Sequence, residues 1–300
     1  VGGPVLLVLL AVQVCTGIGL AFFYAPSTTT AWGSVFHIEE QVAGGSLLRG
    51  LHAFGATAIV LAVLTHLLLA GLRRRYVGPR RVTWVLGLCL IPLLATFALT
   101  GYLLPWDQKG YWATQVATGI MRGTPVVGDA TARFFQGGVD LGSLTLTRFY
   151  SLHTHVLPLT LFALLGLHLR VWLRTTQTNP EEGSAPYWPN QAFRDLVVAL
   201  VVLGAVALFA GLQGAGLEAP AEPNSDYPPR PEWYFAPLRE LLKTVPEPWG
   251  SVVLPGLIFF VLASLPWIDE RSPRVARGLL LLPFLVWGGL LGQTTLADLG

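Results

Sequence analysis

Seven runs of apolar residues, each close to the length needed to cross a bilayer, divide the 300-residue chain. They cover 4–24, 50–72, 83–104, 149–173, 194–214, 251–268 and 278–293, with polar or proline-rich stretches between them. Runs of this kind are helices rather than barrel strands, because a helix satisfies its own backbone where lipid offers no partner. The pattern predicts an all-α integral membrane protein of about seven transmembrane helices.

Three connections depart from short turns. From Pro105 to about Thr147 the chain opens with PWDQKGYWATQVATG, amphipathic enough to lie on the membrane surface as a short helix or two and to roof a pocket there. After the fourth run, TTQTNPEEGSAPYWPNQAF reads as a linker. It sets the expected boundaries: a four-helix unit at 1–176, a linker at 177–192 and a three-helix unit at 193–300. After the fifth run, GLEAPAEPNSDYPPRPEWYFAPLRELLKTVPEPWG is a proline-punctuated loop.

Composition agrees with the runs: 53% hydrophobic and 12% charged residues, with mean hydropathy +0.57, exclude a soluble globular chain. The net charge of +2 carries little information, but its placement does. Arg73, Arg74, Arg75, Arg80 and Arg81 follow the second run, while 25–48 has no Lys or Arg. By the positive-inside rule the second span ends on the cytoplasmic side. Arg170, Arg174, Arg271, Arg274 and Arg277 then fall on that side too. The N-terminus is expected inside, in a bacterial cytoplasmic membrane, with the lipid bilayer and no nucleic acid as partner. Cys15 and Cys89 form no metal or disulfide pattern and read as packing residues. The chain opens at Val1 on the edge of a span, without Met or a charged leader. A preceding segment is expected, and the run is too long for a signal peptide.

Candidate chemistry sits in the second and fourth runs. His52 and His66 are 14 residues apart, about 40° short of four helical turns, so they share a face. His153 and His168 are 15 apart, about 60° beyond four turns, an excess that a bend at Pro158 can partly absorb. Two such helices side by side stack two pairs of imidazoles, and each pair can hold one iron from both sides as in a bis-histidine haem. The alternative is histidines that hydrogen-bond their neighbours; ionisable groups inside spans are costly enough to make function the default. His155, about 140° from the face of His168, reads as non-ligating, and His37 as a loop residue.

Gly3 and Gly17 in the first run, and Gly87 and Gly101 in the third, repeat the 14-residue interval. Glycine lets a flat ring approach a helix backbone, so the first and third helices are expected to wall two stacked haems. Ordinary small-residue packing is the alternative. In the last loop, Glu232 within Pro231-Glu232-Trp233-Tyr234 is expected in apolar surroundings at the membrane edge, suited to accept and pass on a proton. The alternative there is an interfacial aromatic belt with a solvated glutamate.

Assembled, these residues resemble cytochrome b of the quinol-oxidising bc-type complexes over nearly the whole chain. The histidine pairs, the spaced glycines, GYLLPWDQKGYW (101–112), TLTRFYSLHTHVLP (145–158) and PEWY (231–234) carry the resemblance. The wording of TLTRFYSLHT looks most like the photosynthetic type. That type is usually split into two chains, whereas here both halves are joined, and no eighth helix of the mitochondrial kind is expected. The resemblance implies two non-covalent b-type haems, an outer one on His52 and His153 and an inner one on His66 and His168. It implies Arg49 beside an outer-haem propionate, Glu232 and Tyr234 at a quinol-oxidation site, and Arg194 and Asp195 at an inner quinone site. It also implies bifurcated quinol oxidation outside and quinone reduction inside, with proton translocation. The implied partners are a Rieske iron–sulfur protein, a c1-like or f-like c-type cytochrome, the quinone pool and a second copy in a homodimer.

Three positions depart from the pattern. Leu9 stands where the photosynthetic type attaches an extra haem through cysteine, Leu69 where a basic residue faces the inner haem, and Leu173 where the mitochondrial inner quinone site has histidine. No third haem is therefore expected, and inner propionate pairing passes to Arg73. Two rivals remain: a dihaem anchor of a dehydrogenase without bifurcation, which would not need the roof or PEWY, and a proton-coupled transporter.

Overall fold

The computed structural model describes residues 2–178, 187–228 and 231–299. Among them are twelve α-helices: α1 (Gly2–Ala21), α2 (Ala31–Glu40), α3 (Gly45–Leu72), α4 (Arg81–Leu103), α5 (Gln108–Arg122), α6 (Gly128–Gln136), α7 (Ser143–Ser151), α8 (Leu157–Thr178), α9 (Ala192–Gln213), α10 (Ala236–Thr244), α11 (Leu254–Arg271) and α12 (Pro273–Leu299). Seven segments among the described residues are long and apolar enough to cross a membrane, built on α1, α3, α4, α7–α8, α9, α11 and α12, and every run expected from the sequence is one of them. Large apolar side chains face outward along these spans, among them Leu159, Val201, Phe260 and Leu285. That is the reverse of a soluble protein and suits helices bathed in lipid. The chain is an integral membrane protein.

Local chemistry sets several of the boundaries. Gly44 adopts φ +75° at the entrance to α3, and Gly214 adopts φ +61° at the exit of α9, conformations costly for any residue with a Cβ. Asp107 caps α5 by accepting from the Gly110 amide at 2.8 Å. Pro158 has no N–H to donate, and the turn before it widens: Leu152–Val156 is a π turn in which the Leu157 amide donates to the Leu152 carbonyl, five residues back. That extra residue, rather than a bend alone, absorbs the excess between His153 and His168. Counted as 14 ordinary helical steps, the interval has the same offset of about 40° as His52–His66.

α3 packs on α1 and α9, and α8 on α4. Val5, Leu9, Ile59 and Ala199 form one core between α1, α3 and α9. At the arginine-rich face, Tyr76, Trp84, Leu88, Leu262, Leu265, Ala276 and Leu280 form another, between the α3–α4 turn, α4, α11 and α12. At the opposite, loop-rich face, Trp106, Tyr111, Leu141, Leu146 and Phe149 pack under α2. At the arginine-rich face the C-terminal helices α11 and α12 thus hold the N-terminal ones. Residues 179–186, half of the expected linker, lie outside the described residues.

The arginine-rich joint is polar at its centre. Asp269, 2% exposed, accepts from the Arg74 guanidinium and from the Tyr76 hydroxyl at 3.0 Å. Burial first, then the Asp269 hydrogen bond, pushes the Tyr76 phenol up to about 12, so it remains a donor. Asp269→Ala leaves the buried Tyr76 hydroxyl without an acceptor, at a cost of about 1–3 kcal/mol. A thermal melt in detergent should show a lowered transition for Asp269→Ala and a smaller drop for Asp269→Asn, which keeps an acceptor. Equal melting of Asp269→Ala and the parent would show that the joint does not hold the halves.

Candidate haem and quinol sites

The four span histidines lie in two pairs. The ring centres of His52 and His153 lie 6.3 Å apart with planes at 69°. His66 and His168 lie within electrostatic range of each other. The backbones that carry them, α3 on one side and the π turn with α8 on the other, pack on other helices rather than closely on one another, which leaves a slot between them. A metal held by two imidazoles through bonds of about 2.0–2.1 Å, with about 1.15 Å from nitrogen to ring centre, needs ring centres roughly 6.3–6.5 Å apart. The observed pair fits.

Hydrogen bonds fix which ring nitrogen is free. The Thr16 hydroxyl donates to the Val12 carbonyl at 2.7 Å, and its oxygen lies 2.9 Å from His52 Nδ1. The Thr100 hydroxyl donates to the Thr96 carbonyl at 2.8 Å, and its oxygen lies 3.0 Å from His153 Nδ1. A hydroxyl has one proton. With that proton committed to the backbone, each threonine accepts from Nδ1–H, and Nε2 keeps the lone pair that a metal takes.

Glycines lie against all four rings. A Cβ at Gly17 would sit 3.2 Å from His52 Cε1, at Gly101 2.7 Å from His153 Cε1, and at Gly87 3.1 Å from His168 Cε1. A Cβ at Gly2 would sit 2.9 Å from His66 Nδ1, and a Cβ at Gly3 meets no protein atom within 4 Å. His155 is exposed, with Nδ1 2.8 Å from the Thr154 hydroxyl. His37 lies on α2 rather than in a loop, with Nδ1 2.8 Å from Gln41 Oε1. Arg49 bonds Glu39 at 2.6 Å and also the Gly216 carbonyl, so a propionate would share it with Glu39. Cys15 is exposed and Cys89 half-buried.

At the loop-rich face, residues before α5 pair with the loop after α9. Gln108 donates to the Ala219 carbonyl and Ala221 to the Trp106 carbonyl, at 2.9 and 3.0 Å, while the Glu218 amide donates to Asp107 at 3.3 Å. Burial holds the Asp107 carboxyl above its ordinary range, against the two amides that bond it. This brings α5 over Glu232 and Tyr234. Glu232 is not in purely apolar surroundings, as the sequence suggested: it accepts from Lys109 Nζ at 2.9 Å. Lys109 also stands 5.3 Å over the Tyr102 ring. Tyr234 is packed between Trp233 and Phe235, and burial, then the Glu232 charge, pushes its phenol up.

The inner candidates separate. Asp195 is 3% exposed and accepts from Gln191 Nε2 at 2.8 Å, whereas Arg194 is exposed. Successive helical residues point about 100° apart, so the buried carboxylate and the exposed guanidinium leave α9 in different directions.

Residues 1–177 match the family described as cytochrome b/b6/petB, and 220–298 match that described as cytochrome b(C-terminal)/b6/petD. The chain belongs to the cytochrome b family. A cytochrome b from Oryza sativa subsp. japonica is 35% identical over 277 residues, covering 88% of this chain and 69% of that protein. One from Rhodobacter capsulatus is 32% identical over 315 residues, covering 91% and 70%. In fold the chain is similar to a structure described as hyperthermophilic respiratory Complex III, with TM-score 0.79, 24% identity, and coverage of 97% of this chain and 88% of that one.

Membership of the cytochrome b family implies b-type haem, and the residues present fit it: paired imidazoles, a tautomer with Nε2 free, and glycine-lined ring faces. Sequence reasoning missed Thr16, Thr100, Gly2 and Lys109. The threonines had a signal, since the doublet Thr-Gly recurs at 16–17 and 100–101, beside two of the four rings.

Proposed function

We propose that this chain is the membrane subunit of a quinol-oxidising complex of bc type, with His52 and His153 holding an outer b-type haem and His66 and His168 an inner one. The 6.3 Å separation of the His52 and His153 rings is the observation that carries the reading. When bound, the haems supply one-electron transfer between the two faces, so that quinol oxidised outside divides its electrons between an iron–sulfur partner and this chain, and quinone is reduced inside.

The chain's own residues do the rest. Thr16 and Thr100 fix the outer imidazoles, and Gly2, Gly17, Gly87 and Gly101 keep side chains out of the ring slots. Arg49 serves both Glu39 and a propionate. Glu232, under α5 and 30% exposed at its side chain, is placed to accept a quinol proton and release it to water, with Tyr234 lining the pocket. Asp195, buried on α9, and its neighbour Arg194 serve the inner quinone site. The N-terminus lies inside, the Rieske protein and a c-type cytochrome dock outside, and two copies associate. The four-helix unit at 1–176 carries the haems and the unit at 193–300 carries the PEWY loop.

Redox titration of the purified complex, followed in the visible region, tests this. We expect two one-electron b-type components and two haems per chain, none of them held covalently in a denaturing gel. A single component, or haem remaining on the denatured chain, would overturn the assignment.

A further inference from the structure

We propose that Lys109 is a positioning residue for Glu232: its ammonium holds the carboxylate against the first turn of α5, at the edge of the outer pocket, where it is ready to take a proton. This rests on the quinol-oxidation reading above.

The placement of Lys109 is otherwise unfavourable. It is the second residue of α5, where the helix dipole and the free amides favour negative charge. Its backbone cannot drift away from that end, because Asp107 and Gln108 are bonded to 218–219 just before it. Two partners offset the cost: the Glu232 carboxylate at 2.9 Å and the Tyr102 ring at 5.3 Å, which attracts a cation through its face. Glu232 is anchored equally well, because its carbonyl accepts from the Phe235 and Ala236 amides at 2.8 and 3.0 Å at the entry to α10. Two fixed backbones from opposite halves of the chain therefore meet through two part-exposed side chains, 33% and 30% accessible. Such side chains can part and rejoin.

Among the described residues, the other titratable groups in electrostatic range of this pair are acidic or phenolic: Tyr102 from α4 and Tyr234 near Glu232, and Asp107 from the turn before α5 near Lys109. Without the ammonium, no other side-chain hydrogen bond among the described residues holds the Glu232 carboxylate. With the ammonium in place the anion is held against α5, and once the quinol proton has moved to Glu232 the attraction that held it falls away. The carboxyl is then free to turn towards water, and Lys109 keeps its contact with the Tyr102 ring. No electron is involved in this step.

The test compares Lys109→Met, Lys109→Arg, Glu232→Gln and the Glu232→Gln/Lys109→Met pair in the assembled complex, with b-haem absorbance as the loading control. Lys109→Met should lower kcat/KM by about two- to five-fold, the range of a part-exposed ion pair. Arginine should restore most of the loss. In the Glu232→Gln background, Lys109→Met should make no further difference. A kcat/KM equal to the parent's, no rescue by arginine, or the same loss in the Gln background would overturn the proposal alone. Full turnover in Glu232→Gln itself would overturn both this and the quinol-base reading on which it stands.

Discussion

His52→Leu and His153→Leu proteins should each lose the same one of two b-type components, with haem content falling from two per chain to one. The two rings form one pair at 6.3 Å, so removing either leaves a single imidazole and an open axial position. Leucine fills much of the volume but has no lone pair to offer. The threonine opposite the lost ring then has no N–H to accept, while its partner across the slot keeps its own bond. His66→Leu and His168→Leu should remove the other component. His155→Leu is the control: its ring is exposed and bonds its own neighbour, so both components should stay. Unchanged haem stoichiometry in His168→Leu, measured against protein by amino-acid analysis, would sink the ligand assignment.

The second large effect is on turnover. Glu232→Gln keeps the size of the side chain and an oxygen that can still accept from Lys109, but removes the basic group. Quinol binding should survive while oxidation slows by about 10–10⁴-fold, the upper part of that range being typical of a general base and the lower part applying if water or Tyr234 substitutes. The optical spectra should not move, since Glu232 is no ligand. Activity equal to the parent's at every pH would return PEWY to an aromatic belt at the membrane edge.

The spans were legible because membrane crossing imposes a length and an apolar composition that nothing else in the chain shares. The surface helices α2 and α10 were not, because each is only 10 or 9 residues long and such short amphipathic pieces take their shape from what they pack against. The histidine pairs could be read because a helix turns residue spacing into direction. What spacing cannot supply is a contact across the fold. Lys109 and Glu232 are separated by 123 residues, and no periodicity in either stretch indicates that they meet.

The widened turn at Leu152–Val156 has a consequence for how the length of this span can vary between relatives. It stores one residue more than a regular helix needs. A deletion within it would close the turn to ordinary α geometry and leave His153 and His168 on one face. A deletion further into α8 would instead swing His168 by about 100° and break the pair. On the proposed ligand assignment, spacings of 14 and 15 are thus equivalent, and the turn before Pro158 is the place along this span where the loss of one codon leaves both histidines on one face.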